Sequence, residues 1–204
     1  MKYLFIINPK SGIRHPVKQI TDIIKYVFDS SSNHTYEIVY SEYAGHAREL
    51  AKQAVYQNVD VVVAAGGDGT VNEVCSALVN KNTSFGLIPM GSGNGFARSL
   101  SIPLNYKHAI TQIEKGLIES IDVGRIGDKF FFGVAGFALD AVIGAKFDTF
   151  NHRGPLPYFY LGLQEFFKYQ YEEFELSFND QNIYVKPLIL TIANTSQYGN
   201  GATI

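Results

Sequence analysis

The apolar run from Val59 to Ala65, broken only by Asp60, leads straight into Gly66-Gly67-Asp68-Gly69-Thr70. A strand with one face in water alternates apolar and polar residues, so a run without alternation marks a strand buried on both faces. Such a strand needs helices above and below it, which commits the chain to a parallel sheet between two helical layers. The sequence before Ser120 supplies the other parts. Tyr3 to Ile7 reads as a first strand. Val17, Ile20, Ile24, Val27 and Phe28 then recur at helical spacing behind Pro16, a residue suited to a first turn. Tyr36 to Ser41 reads as the next strand, and Ala47, Leu50, Ala51, Ala54 and Val55 as a helical face. A helix is expected to start near Thr70, a strand at Phe85 to Ile88, and further helices near Gly95 and Tyr106.

The pattern changes near Ser120. From Ile121 the chain reads as short aromatic strands with glycine breaks around Lys129 to Phe137. An aromatic-rich segment follows from Leu156 to Phe174, then strands at Phe174 to Phe178, Ile183 to Val185 and Leu188 to Ala193. The expected organisation is an α/β parallel-sheet domain over residues 1–122, followed by an antiparallel β-rich domain over 123–204. Tyr198 to Ile204 carry turn signals but no closing element, so the second domain reads as incomplete.

Composition narrows the partners. Lys and Arg number 17 against 19 Asp and Glu, a formal charge of −2, so no global basic field steers the chain to nucleic acid or to an anionic bilayer. Nucleic acid is not expected as a partner, and membrane contact would have to be local. Cys75 is the single cysteine, which rules out an internal disulfide, and the five histidines show no metal-ligand spacing with it. A reducing cytoplasm suits that usage. Met1 to Asn8 is too short an apolar run for a signal peptide, and no stretch is long enough to span a bilayer.

The chemistry concentrates in glycine-rich turns. Gly66-Gly67-Asp68-Gly69-Thr70-Val71-Asn72-Glu73 links the buried strand to a helix. Glycines let phosphate oxygens approach the main chain, and the N–H groups and dipole of the following helix favour negative charge, so this turn reads as a phosphate cradle. Thr70 and Glu73 also have the spacing of a capping box, in which both would merely start the helix. Asp68 would repel phosphate unless Mg²⁺ lay between them, or unless its side chain anchored loop amides. A second loop, Pro89-Met90-Gly91-Ser92-Gly93-Asn94-Gly95, follows the next strand. Asn8-Pro9-Lys10-Ser11-Gly12 follows the first, at the same carboxyl edge where open α/β sheets bind ligands. Neither a Walker A sequence nor the protein-kinase signature pair occurs.

Asn8-Pro9-x-x-Gly12, then Gly66 to Thr70 with Glu73, then Pro89-x-Gly91-Ser92-Gly93-Asn94 with Ala97-Arg98, resemble the diacylglycerol kinase catalytic family, which includes bacterial lipid kinases and sphingosine kinases. The glycine turn alone is shared with NAD kinases; the first and third motifs favour lipid kinases. Ile121-Asp122-Val123-Gly124, the stretch from Phe132 to Asp140-Ala141, and Arg153-Gly154 look like the start of that family's lipid domain.

The resemblance implies ATP and Mg²⁺ as cofactors. It puts ATP contacts at Asn8, Pro9, Lys10, Ser11, Gly12, Ser41, Gly66 through Glu73, Gly91 and Ser92, with Asp68 toward the Mg²⁺-nucleotide. It implies γ-phosphoryl transfer to a hydroxyl of a diacylglycerol-like or sphingoid lipid, with Asp68 and Asp140 as catalytic candidates and Asp140 near the acceptor. The apolar stripe Leu156, Tyr158, Phe159, Leu161, Leu163, Phe166, Phe167 and Tyr169 would either line an acyl groove or form ordinary core. Tyr158, Tyr160 and Lys168 suit a membrane surface, and the expected location is cytoplasmic, peripheral at the inner membrane face. The family's general-base glutamate is expected beyond Ile204, so the chain reads as a shortened form. Two rival readings follow: an inactive nucleotide-binding fragment and a NAD kinase. Unpaired sheet edges lead us to expect a homodimer.

Overall fold

The computed structural model describes residues 1–12, 16–149, 155–178, 181–195, 197–199 and 202–203. They fall into two compact units, one of residues 1–133 with 194–204, the other of residues 134–193.

In the first unit β1 (Lys2–Ile7), β2 (Thr35–Tyr40), β3 (Val61–Gly66) and β4 (Ser84–Pro89) form a parallel sheet in the order β2-β1-β3-β4. Every residue of β3 is buried, as a strand covered on both faces requires. Because successive side chains point to opposite faces, the sheet feeds two cores. Tyr3, Phe5, Ile7, Val63 and Ala65 pack with Ile20, Ile24 and Phe28 of α1 (Val17–Phe28) and Ile110 of α5 (Tyr106–Glu114). Leu4, Ile6, Val62 and Ala64 pack with Ala47, Ala51 and Ala54 of α2 (His46–Tyr56) and with Val74, Ala77 and Leu78 of α3 (Asp68–Leu78). Asn105 caps α5, its side chain accepting the His108 N–H at 3.2 Å.

A third cluster joins Val71, Cys75 and Leu87 to Phe96 and Ala97 of α4 (Gly95–Ser99) and to Phe132. Phe132 follows the antiparallel pair β5 (Gly124–Ile126) and β6 (Lys129–Phe131). Where the sequence offered no closing element, β11 (Gln197–Gly199) and β12 (Ala202–Thr203) pair antiparallel in a short ladder. Asn200, Gly201 and Ile204 lie outside the described residues, as do Arg153 and Gly154.

In the second unit β7 (Val134–Ala138) pairs antiparallel with β10 (Ile189–Ala193), and β8 (Phe174–Phe178) with β9 (Gln181–Val185). Two helices stand between β7 and β8: α6 (Leu139–Thr149), where sequence reading assigned no element, and α7 (Pro155–Phe166), where it left the aromatic stretch from Leu156 untyped. Lys146 Nζ meets Glu165 Oε1 at 2.7 Å, so an ion pair between an exposed lysine and a buried glutamate ties α6 to α7. Leu139 and Ile143 pack with Tyr169 and Leu188. Of the expected apolar stripe, Tyr169 thus belongs to the core of its unit, whereas Leu163, Phe166 and Phe167 are exposed. The side chains of Leu156, Tyr158, Phe159 and Leu161 lie outside the described residues. Among the described residues no helix is long and apolar enough to cross a membrane.

Candidate functional site

The register sets Ile7 of β1 against Tyr40 of β2 and Ala65 of β3, and Gly66 against Pro89 of β4. All four strands therefore end on one line, and the loops that follow them share the carboxyl edge of the sheet, where open α/β sheets bind ligands. Asn8 leads the first loop: its Nδ2 donates to Thr70 Oγ1 at 2.9 Å and its Oδ1 accepts the Lys10 N–H at 3.0 Å. Half-buried Pro9 separates the two residues. Ser11 Oγ accepts the Gly67 N–H at 3.3 Å. Gly12 has φ +77°, and a Cβ there would run into the Met90 carbonyl oxygen, so this loop is wedged against the start of the β4 loop.

Helix α3 begins at Asp68, with Gly67 in extended conformation at its N-cap and no side chain capping it. Thr70 is therefore inside the first turn. It is buried, and its hydroxyl receives Asn8, while Glu73 Oε1 accepts the Gly45 N–H at 2.9 Å from the β2–α2 loop. The capping-box spacing does not describe either residue: both hold neighbouring loops. Asp68 is exposed, and its Oδ1 accepts the Phe96 N–H over a long 3.4 Å. Val71 is core, and Asn72 is half-buried beside it. Ser41 is buried just past β2, its N–H donating to the Ile7 carbonyl at 3.0 Å. Lys10 Nζ donates to the Glu42 carbonyl at 3.1 Å, which ties the first loop to the second.

The β4 loop depends on a residue that sequence reading left outside the site. Asn94, in left-handed conformation, accepts the Gly91 N–H at 2.8 Å through Oδ1 and donates Nδ2 to the Gly91 carbonyl at 2.7 Å. Gly91 is thereby held against Gly67, and a Cβ on Gly91 would come within 2.8 Å of the Gly67 Cα. Ser92 is exposed beyond it. Asn94 stands in the quoted motif, so the signal was present; Gly45, Glu42 and Phe96, which take part through backbone groups, have none in the sequence. Gly66 and Gly67 thus lead into the N-terminus of an 11-residue helix, and in its first turn, from Asp68 and Gly69, the unpaired N–H groups and the macrodipole favour an anion.

Asp140 belongs to the second unit. It is the second residue of α6, after Ala138 in left-handed conformation (φ +60°), and its carboxylate folds over Gly136 so closely that a Cβ there would overlap it.

Residues 2–126 match the family model of the diacylglycerol kinase catalytic domain. The chain belongs to that family. A diacylglycerol kinase of Staphylococcus saprophyticus is 35% identical over 136 residues, which is 64% of this chain and 43% of that protein. A diacylglycerol kinase of Staphylococcus aureus is 34% identical over the same length, 64% of this chain and 41% of that one. The chain thus spans less than half the length of these curated relatives. A crystal structure of a Bacillus anthracis diacylglycerol kinase superposes with a TM-score of 0.76 at 25% identity, covering 100% of this chain and 67% of that one. The parallel sheet with added antiparallel strands is therefore a diacylglycerol kinase-like fold.

Proposed function

We propose that this member of the diacylglycerol kinase family binds ATP along the carboxyl edge of its parallel sheet, and that the whole protein transfers the γ-phosphoryl group to a hydroxyl of a diacylglycerol-like or sphingoid lipid. The observation that carries the first part is at Gly69. It is exposed in the first turn of α3, and a Cβ there would meet no described protein atom within 4 Å. Packing among the described residues gives no reason for glycine at this position, whereas a phosphate seated on the helix N-terminus does.

Asp68 and the phosphates fit a shared Mg²⁺. Among the described residues no group of three or more His, Cys, Asp or Glu is gathered for a metal. Mg²⁺ in such sites takes one or two carboxylates and fills its shell with phosphate oxygens and water, so a single exposed aspartate beside the cradle is a suitable protein contribution. The ion would supply charge neutralisation at the β- and γ-phosphates. The chain's own part is positioning: Asp68 and Gly69 present the backbone N–H groups of the first turn of α3, and Asn8 and Ser11 hold the cradle in shape through Thr70 and Gly67. We assign further hydroxyl contacts to Ser92, exposed in the β4 loop, and to Ser41, buried where the β2–α2 loop begins. Asp140 on its strand-to-helix elbow is the residue we assign to the acceptor hydroxyl, and the exposed Leu163, Phe166 and Phe167 to its acyl chain or a membrane surface. Conversion of NAD to NADP, the activity of the rival reading, is not expected.

Calorimetric titration with a non-hydrolysable ATP analogue tests the proposal. Binding should require Mg²⁺ and should weaken about tenfold or more in Asp68→Ala, as expected for losing a charged ligand worth at least 1.4 kcal/mol. A folded wild-type chain that binds no nucleotide with Mg²⁺ present would overturn it.

A further inference from the structure

The β2–α2 loop holds an arrangement that the phosphate cradle does not explain. Tyr43 and His46 stack with ring centroids 4.6 Å apart and planes within 3° of parallel. The Tyr43 hydroxyl donates to Glu49 Oε2 at 2.7 Å, and that bond to a carboxylate is the main cause raising the phenol above its ordinary pKa. Tyr43 is nonetheless 55% exposed. With one face covered by the imidazole and the hydroxyl fixed, what remains accessible is chiefly the opposite ring face.

The loop is also pinned. His46 Nδ1 accepts the Glu42 N–H at 3.1 Å, Lys10 Nζ holds the Glu42 carbonyl, and Glu73 holds the Gly45 N–H. Two of these three ties come from residues of the phosphate loops, so the ring pair is fixed relative to the cradle. On the β4 side the cradle is closed by the Gly67–Gly91 contact and by the Asp68–Phe96 bond. A mononucleotide with its phosphates at the end of β3 is thereby directed toward β1 and β2. Strands are about 4.8 Å apart, so β2 lies roughly 10 Å from β3, a span comparable to that between the phosphates and the base of a nucleotide.

We infer that the Tyr43–His46 pair is the platform on which the nucleotide base stacks, so that the β2–α2 loop selects the base; this rests on the ATP-binding reading above. A preformed aromatic face offers a base a contact without new ordering of the protein, and its preference follows ring area, purine above pyrimidine.

The chain contains no tryptophan, so Tyr43→Trp installs a sole indole reporter. A non-hydrolysable ATP analogue should quench its fluorescence, and tripolyphosphate with Mg²⁺ should not. By calorimetry Tyr43→Ala should lose about tenfold in affinity for the analogue, the lower range of a base–aromatic stack, while tripolyphosphate binding is unchanged. Tyr43→Phe should bind the analogue like wild type, which separates loss of the ring from loss of the Glu49 bond. Circular dichroism confirms that each variant is folded. Wild-type affinity in Tyr43→Ala, or equal quenching by tripolyphosphate, overturns the platform and leaves the nucleotide site standing. Failure of the wild-type chain itself to bind the analogue overturns both.

Discussion

At Gly12 two demands coincide. The backbone has φ +77°, and the space a Cβ would take is filled by the Met90 carbonyl oxygen. An L side chain in left-handed conformation costs about 1–2 kcal/mol before any overlap is counted, so Gly12→Ala should lower stability by about 2 kcal/mol or more. Urea unfolding checks this as a fall in midpoint at unchanged slope. Asn94 shows how the same conformation is accommodated with a side chain: asparagine visits the left-handed region readily, and here its amide is spent on both polar groups of Gly91. Motif spacing brought both residues into view, because glycine and asparagine in these turns have local backbone reasons. Thr70 and Glu73 were less legible. Their spacing fits a local cap, whereas their partners, Asn8 and Gly45, are 62 and 28 residues away in sequence.

Among the elements α3 acts as a hub. From its first two turns Asp68 reaches the start of α4, Thr70 the β1 loop and Glu73 the start of α2. Glu73→Ala should therefore be felt at the other end of its hydrogen bond. Amide exchange at Gly45 and His46 should speed by about tenfold, the loss of one charge-assisted bond, whereas Glu73→Gln, which keeps a carbonyl acceptor, should restore most of the protection. Exchange unchanged in the alanine variant would show that the loop holds itself. The strands and helices of the first unit were legible because their periodicity is enforced by the two-faced core: β1 alternates between the cluster on α1 and the cluster on α2 and α3. The helices of the second unit were not. α7 opens Pro155-Leu156-Pro157-Tyr158-Phe159-Tyr160, residues that punctuate or favour strands, and proline is tolerated there only because it falls in a first turn. In α6 the apolar residues are spread around Gly144 and mark no single face.

At the scale of the whole molecule, Cys75 offers a probe of cooperativity. Its thiol lies in the cluster that joins α3 to α4 and Phe132, and burial pushes its pKa up from the ordinary value. The reactive thiolate is thus suppressed in the folded state by both access and ionisation. At pH 8 alkylation should run orders of magnitude slower in the native chain than in urea, and its rate should track the unfolded population. Fast labelling without denaturant would mean that this cluster opens independently of the sheet. The Gly67–Gly91 contact bears on how proteins of this kind diversify. Two stretches of main chain touch there with no side chain between them, so Gly91 has no room for a Cβ and Gly67 little, and on the proposed reading the floor beneath the phosphates is a fixed part. On that reading, preference for one nucleotide over another is adjusted at the periphery, where Tyr43 is 55% exposed and its ring and hydroxyl meet the side chains of His46 and Glu49: the chassis is locked, and the interchangeable fitting is the Tyr43 side chain.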